Sequence, residues 1–363
     1  MVSRSLQRSF NAMARLALRN GAKAMKLAMK PAKKQPKPGV IKPKLSRPTP
    51  TQRVATGRAS AAAAPTASKL ARTPRLQWTT GMATGAGGAR RYRLFKPTGV
   101  LRGERLPLVV MLHGCAQDAQ AMAASTQMNR LAQAERFMVL YPEQDRLANL
   151  QNCWNWYDTR AGRAQREADS VVSAVDQLCL TQPVDPQRVA VVGLSAGAGL
   201  ASLLAVRQPG RFQAVVMHSG VAPGLASSSA TALAAMRGRR VAVPLAPLAA
   251  GLHLPALLVI QGSADPIVAA SNGAQAAKLW ADREGAQARL PRTVQRGKRY
   301  PATVTDYRHR GRLVATLCSI SGLGHAWSGG APGAAYSDPK GPDASRMAWS
   351  FMKKQFANRA GLG

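Results

Sequence analysis

The sequence predicts an α/β fold, a mainly parallel central sheet with helices covering both faces. Three observations predict it. Short continuous apolar runs recur through residues 91–357, and a strand buried on both faces reads as such a run rather than as an alternation. Stretches of helical periodicity fall between the runs, as the crossovers of a parallel sheet require. Turn-forming residues bound them, as at Gly193 and Asp185-Pro186.

Taken in order, Tyr92-Arg93-Leu94-Phe95 reads as the first strand. The run Leu106-Pro107-Leu108-Val109-Val110-Met111-Leu112 is the second and ends at His113-Gly114. A third spans 136–141 around Phe137-Met138-Val139-Leu140. Residues 166–180 have helical spacing and lead to a turn at Asp185-Pro186. Val189-Ala190-Val191-Val192 is a fourth strand running into Gly193. Leu200, Leu203, Leu204 and Val206 mark a helix, and 212–218 returns to strand. Residues 221–253 are rich in small side chains and are expected to form an insertion capping the site. Leu257-Leu258-Val259-Ile260 is a further strand. A helix around 271–284 then leads through a basic excursion to paired strands at 303–307 and 314–320. A last helix spans about 344–356.

The 363-residue chain is 46% hydrophobic, enough for a sizeable core. Its formal net charge is +35, unevenly placed: 23 Lys or Arg residues precede the first acidic residue, Glu104. Residues 1–30 read as a basic amphipathic helix, with Leu6, Phe10, Met13, Leu16 and Ala17 at helical spacing. From Pro31 the composition turns to Pro, Lys, Ala, Ser and Thr, so 31–90 is expected to be a disordered linker. The catalytic domain is expected over 91–357. The basic stretch 1–75 suggests attraction to an anionic surface, whether granule, membrane or nucleic acid; a solvated tail is the plainer reading.

No apolar run approaches the roughly 18 to 20 residues that span a bilayer. Arg or Lys recurs every few positions in the first thirty residues, leaving no continuous apolar segment of the kind a secretory signal needs. A cytoplasmic or granule-associated location is compatible with that. The four cysteines, Cys115, Cys153, Cys179 and Cys318, include no C-x-x-C pair, so no metal site is expected.

Chemistry concentrates at Gly193-Leu194-Ser195-Ala196-Gly197, a G-x-S-x-G pentapeptide between a strand and a helix. In that context it reads as the nucleophile elbow of an α/β-hydrolase, with Ser195 exposed above the sheet. Glycines on either side let strand and helix pack closely. A serine hydroxyl needs a base, and the base needs an orienting acid, in the chain order serine, acid, histidine. His325, in the glycine-rich loop Gly322-Leu323-Gly324-His325, is the expected base; His309 lies in a charged turn, and His218 reads as a packed residue. Asp265, directly after the 257–260 strand, is the expected acid, with Asp282 the weaker candidate. The oxyanion is expected to meet the backbone amides of Cys115 and Ala196. The Cys115 thiol is free or bridged, with Cys153 a candidate partner.

These pieces together resemble the polyhydroxybutyrate (PHB) depolymerase family of esterases, which is close to the feruloyl and acetylxylan esterases. The resemblance rests on His113-Gly114-Cys115-Ala116-Gln117, Asn152-Cys153-Trp154-Asn155-Trp156, the Ser195 pentapeptide, Gly262-Ser263-Ala264-Asp265, and 322–330 around His325-Ala326-Trp327. It extends from about Arg91 to Phe356 and implies a Ser195, Asp265, His325 triad, with Trp154, Trp156 and Trp327 as aromatic walls near the site. Set against secreted members of the family, the sequence is expected to lack a secretory signal and, after Phe356, a linker and polymer-binding domain.

The function expected is therefore a serine carboxylic ester hydrolase for poly- or oligo-3-hydroxyalkanoate or related short-chain esters, without cofactor. A feruloyl- or acetylxylan-type esterase is the alternative within that class. From another class comes a basic granule- or nucleic-acid-binding protein on a hydrolase scaffold.

Overall fold

A computed structural model describes residues 78–360; the helix expected over 1–30 and most of the linker lie outside the described residues. The strands are β1 (Trp78–Ala83), β2 (Arg90–Phe95), β3 (Leu106–Leu112), β4 (Met138–Pro142), β5 (Val184–Leu194), β6 (Ala214–His218), β7 (Ala256–Gly262), β8 (Gln287–Ala288), β9 (Arg292–Val294), β10 (Ala302–His309), β11 (Arg312–Ile320), β12 (Trp327–Ser328) and β13 (Ser337–Asp338). The helices are α1 (Ala119–Thr126), α2 (Met128–Glu135), α3 (Arg163–Thr181), α4 (Ala196–Arg207), α5 (Ser229–Met236), α6 (Ser271–Arg283) and α7 (Ala344–Ala360).

Eleven strands form one sheet in the order β1-β2-β4-β3-β5-β6-β7-β11-β10-β8, with β9 also pairing β10. From β4 to β11 every neighbouring pair is parallel; β1 and β2 close one edge and β10 the other in antiparallel register. The central strands β3, β4, β6 and β7 are buried at every position.

Alternate side chains of each strand serve two separate cores. Leu108, Val110, Val189 and Val191 pack on one face with Val171 and Leu178 of α3, Leu200 and Leu204 of α4, and Trp280 of α6. Val109, Met111, Ala190 and Val192 pack on the other with Met122 of α1, Leu131 of α2, and Trp349 and Met352 of α7. Period-2 alternation inside an all-apolar run is what a sheet covered on both sides demands.

The structure corrects the sequence reading in two places and adds two helices in a third. The linker expected up to residue 90 ends earlier: Trp78–Ala83 is an edge strand in full register with β2, and its mostly exposed or half-buried positions leave no apolar run to mark it in the sequence. The stretch between β3 and β4, to which the sequence reading assigns no element, holds α1 and α2; α1 is capped by Asp118, whose carboxylate accepts from the Ala121 N–H at 2.8 Å. Asp185-Pro186 is not a free turn but the start of β5, since Val184 pairs with Leu106. No helix among the described residues is long and apolar enough to cross a membrane.

Helix α4 lies close on the sheet at Gly197, where a Cβ would meet the backbone of Leu112 and His113. Gly197→Val should lower stability by about 1–3 kcal/mol through overpacking, read as a lower midpoint in urea denaturation with an unchanged slope.

Candidate active site

Strand β5 stops at Leu194 and α4 starts at Ala196, so Ser195 alone makes the turn between them. It does so at φ 57° and ψ −118°, a strained conformation for a residue with a Cβ. The turn is held from both sides. The Ser195 N–H donates to the His218 carbonyl at 2.9 Å, and the Ser195 carbonyl accepts from Ala198 and Gly199. A Cβ at Gly193 would meet the Gly197–Ala198 backbone, which is why the crossing needs glycine.

The loops after β7 and β11 bring Asp265 and His325 to the same end of the sheet. The Asp265 carboxylate accepts from His325 Nδ1 at 2.8 Å, and Ser195 Oγ lies 2.9 Å from His325 Nε2. An acceptor at Nδ1 places the imidazole proton there and leaves Nε2 to accept from the serine hydroxyl. The Asp265 side chain is fully buried. Burial pushes its carboxyl up, but His325 and the N–H groups of Val268 and Ile267 outweigh it and hold it below its ordinary value. The three residues read from the sequence as a triad are thus brought into one hydrogen-bonded line.

The loop after β3 approaches the serine from the other side: a Cβ on Gly114 would lie about 3.5 Å from that of Ser195. Its peptide planes are fixed. The Gly114 carbonyl accepts from His113 Nδ1 at 2.8 Å and from the Gln117 N–H at 3.3 Å, while the Gly114 N–H donates to Gln117 Oε1 at 3.0 Å. The planar peptide directs the Cys115 N–H opposite to that pinned carbonyl. Neither the Cys115 nor the Ala196 N–H donates to a protein group among the described residues. Ala116 takes φ 60° and donates its N–H to the Gln151 carbonyl at 2.8 Å, and Cys115 is disulfide-bonded to Cys153.

Behind this loop runs a buried polar network that the sequence reading missed. His113 Nε2 accepts from the Gln144 N–H at 3.1 Å, which assigns the proton to Nδ1, and burial pushes the imidazole down to about 4. The Gln144 side chain accepts from Arg90 Nη1 at 2.9 Å and donates to Glu167 Oε1 at 2.6 Å and to the Cys153 carbonyl at 3.0 Å. Glu167 also accepts from the Asn155 N–H and side-chain amide. These residues are scattered through the sequence and follow no periodic signal.

The aromatic expectation needs correction. Trp154 and Trp327 are fully buried, so they back the site instead of lining it. Trp154 packs between the His113 ring, 5.3 Å away, and the Arg90 guanidinium, 5.1 Å from its centroid. Trp327 stacks on His218 at 5.0 Å. Trp156 keeps 9% exposure and lies against the Gly199 backbone of α4. His218, buried, accepts the Ser328 N–H on Nε2 at 3.1 Å and so ties the chain just beyond His325 to β6; burial pushes it down to about 3. The 221–253 insertion is tied to α6 through Asn272 and Gln275, beside the Asp265 loop. His309 bonds to the Gly285 carbonyl at the far end of β10, and Asp282 pairs with Lys278, so neither joins the Ser195 cluster. No group of three metal-ligating side chains occurs among the described residues.

The family described as esterase PHB depolymerase matches residues 90–287, more than half of the chain. The chain belongs to that family. The matched stretch includes the Ser195 elbow and Asp265 and ends before His325. Among relatives of this family member, poly(3-hydroxyalkanoate) depolymerase C of Paucimonas lemoignei is 32% identical over 228 residues, 60% of this chain and 54% of that protein. Probable acetylxylan esterase A of Aspergillus clavatus is 27% identical over 207 residues, 53% of this chain and 66% of that protein. The matches therefore span 54% and 66% of the length of these two relatives. The structure of an acetyl xylan esterase from Aspergillus awamori superposes with a TM-score of 0.57 at 18% identity, over 68% of this chain and 94% of that one. At that identity the likeness is one of fold, an α/β-hydrolase sheet.

The two buried histidines set a pH dependence of stability. Folded, His113 and His218 stay neutral down to about 4 and about 3; unfolded, each takes up a proton near its ordinary 6.5. Between those values the unfolded chain binds more protons, so the stability they confer is full above 6.5 and is lost as the pH falls. Lowering the pH from 6.5 to 4 should cost roughly 3 kcal/mol for each histidine, measured by denaturant titration at both pH values. A flat profile would mean that neither imidazole is buried neutral.

Proposed function

We propose that the chain is a serine carboxylic ester hydrolase that works through an acyl-enzyme on poly- or oligo-3-hydroxyalkanoates. The observation that carries this reading is the line Ser195–His325–Asp265, with two peptide N–H groups, of Cys115 and Ala196, that have no protein acceptor among the described residues. Asp265 fixes the imidazole tautomer, so Nε2 faces the nucleophile. Ser195 Oγ attacks the ester carbonyl carbon as its proton passes to Nε2. The oxygen gains negative charge and is met by the Cys115 and Ala196 N–H groups, the latter at the positive end of α4. Collapse breaks the ester bond, and Nε2 returns the proton to the departing alcohol oxygen. Water then enters by the same route, His325 taking its proton, and the acyl group leaves as an acid while Ser195 is regenerated.

The substrate class is supported by the similarity to the Paucimonas lemoignei depolymerase. A second reading, esterase action on acetylated xylan, is supported by the acetylxylan esterases that match over about half of the chain. In either case the basic stretch 1–75 would act as an electrostatic tether toward an anionic surface.

The deciding assay compares hydroxybutyrate oligomers, acetylated xylan and methyl ferulate with wild type and Ser195→Ala. Hydroxybutyrate oligomers should be turned over fastest, and Ser195→Ala should lower kcat by several orders of magnitude. A Ser195→Ala rate near that of wild type would overturn the mechanism. Faster turnover of acetylated xylan would move the substrate assignment to the second reading.

His113 is a positioning residue in this scheme, because it holds the carbonyl opposite the Cys115 N–H. Losing an oxyanion donor costs about 100- to 1000-fold in kcat, and releasing one from its fixed direction costs less. His113→Leu should therefore lower kcat by about tenfold or more with little change in KM. Equal effects on both parameters would indicate general unfolding of the loop.

A further inference from the structure

One edge of the sheet carries a feature that ester hydrolysis does not use. Strands β8 and β9 and the turn that follows them run along the outer side of β10, and all twelve residues from 287 to 298 are exposed. Between Glu284 and Asp306 the chain has five basic residues, Arg289, Arg292, Arg296, Lys298 and Arg299, and no acidic one. Arg292 is neutralised by Asp306 at 2.9 Å. Arg289, Arg296 and Lys298 make no ion pair among the described residues.

The register places this edge relative to the site. Val294 pairs with Ala302, and Ala302 with Ile320, at the end of β11 that leads into the His325 loop. The basic turn 295–299 therefore sits at the same end of the sheet as the triad. Two strand spacings, about 10 Å, separate β9 from β11. The turn is built, not loose: Gln295 Nε2 bonds to the Arg299 carbonyl at 3.0 Å, Arg299 Nη1 to the Gly341 carbonyl, and the Tyr300 N–H to the Lys340 carbonyl at 3.0 Å. Lys340 adds another exposed cation there. Leu290, 92% exposed, stands beside Arg289, and Val294 is 40% exposed.

We infer that this edge is a docking surface for an anionic phospholipid layer, with the cations paired to headgroups and Leu290 entering the interface. Cations interleaved with exposed aliphatic side chains suit a surface that is charged outside and apolar within. Nucleic acid fits less well, since no exposed aromatic side chain lies on 287–298 for base stacking. Docking along this edge holds the triad end of the sheet beside the layer.

The test uses the full chain, basic N-terminal stretch included, and vesicles of phosphatidylcholine with and without phosphatidylglycerol. An edge variant, Arg289→Gln with Arg296→Gln and Lys298→Gln, is compared with a control of equal charge, Arg102→Gln with Arg237→Gln and Arg239→Gln. Circular dichroism and thermal unfolding verify that each variant is folded. The edge variant should partition onto phosphatidylglycerol vesicles at least about tenfold more weakly than wild type, and the control should bind within about twofold of wild type. Leu290→Trp should show blue-shifted emission on those vesicles alone. Equal losses in edge variant and control, or wild-type partition by the edge variant, would overturn the proposal. So would an unshifted Leu290→Trp emission, or an edge variant that loses binding to duplex DNA while keeping that to vesicles.

Discussion

Glu167 is buried behind the loop that follows β3, and the position of that loop follows from how its carboxylate is satisfied. A buried carboxylate must collect hydrogen bonds, and it draws them from Asn155 and Gln144. Gln144 cannot turn its amide over, because its oxygen already faces the Arg90 guanidinium and its nitrogen faces two acceptors. With the side chain so fixed, its own N–H meets His113 Nε2, and the opposite ring nitrogen holds the Gly114 carbonyl. The disulfide from Cys115 to Cys153 ties the same loop to the strip that carries Asn155. Electrostatic satisfaction in the interior is thereby transmitted to the direction of one peptide N–H.

The serine side of the site is fixed by packing instead. The positive φ of Ser195 costs about 1–3 kcal/mol. It persists because β5 is hydrogen-bonded within the sheet and α4 is packed against that sheet, leaving one residue to join them. His218 links the two halves: its carbonyl takes the Ser195 N–H and its ring takes the Ser328 N–H, so the elbow and the histidine loop refer to one residue of β6. That role requires a neutral imidazole, which its complete burial secures.

Much of this was legible in the sequence, for identifiable reasons. Apolar runs such as 106–112 and 189–192 declare buried strands because both of their faces are covered. The elbow declares itself because steric closeness demands glycine at fixed offsets, and chain order then leads to Asp265 and His325. The Arg90–Gln144–Glu167 network was not legible, since its members lie on β2, after β4 and on α3 and meet only when those elements pack. The tryptophans misled for a related reason. A tryptophan next to a motif can face outward or inward with the same sequence, and here β12 and the Cys153 loop turn two of them inward.

Their burial has a consequence for specificity. Trp154 and Trp327 pack against His113 and His218, so in the proposed mechanism the acyl group is sorted by surfaces other than these rings. The 221–253 insertion rests on α6 beside the Asp265 loop through a few hydrogen bonds, and much of its length outside α5 is irregular. Irregular segments on a rigid scaffold are where binding preferences change without disturbing catalysis. The Ser195, Asp265 and His325 line and the pinned peptide at Cys115 are independent of that insertion in every hydrogen bond that holds them. In the proposed mechanism the fold therefore keeps the bond-breaking geometry in its buried framework and leaves the choice of ester to its periphery.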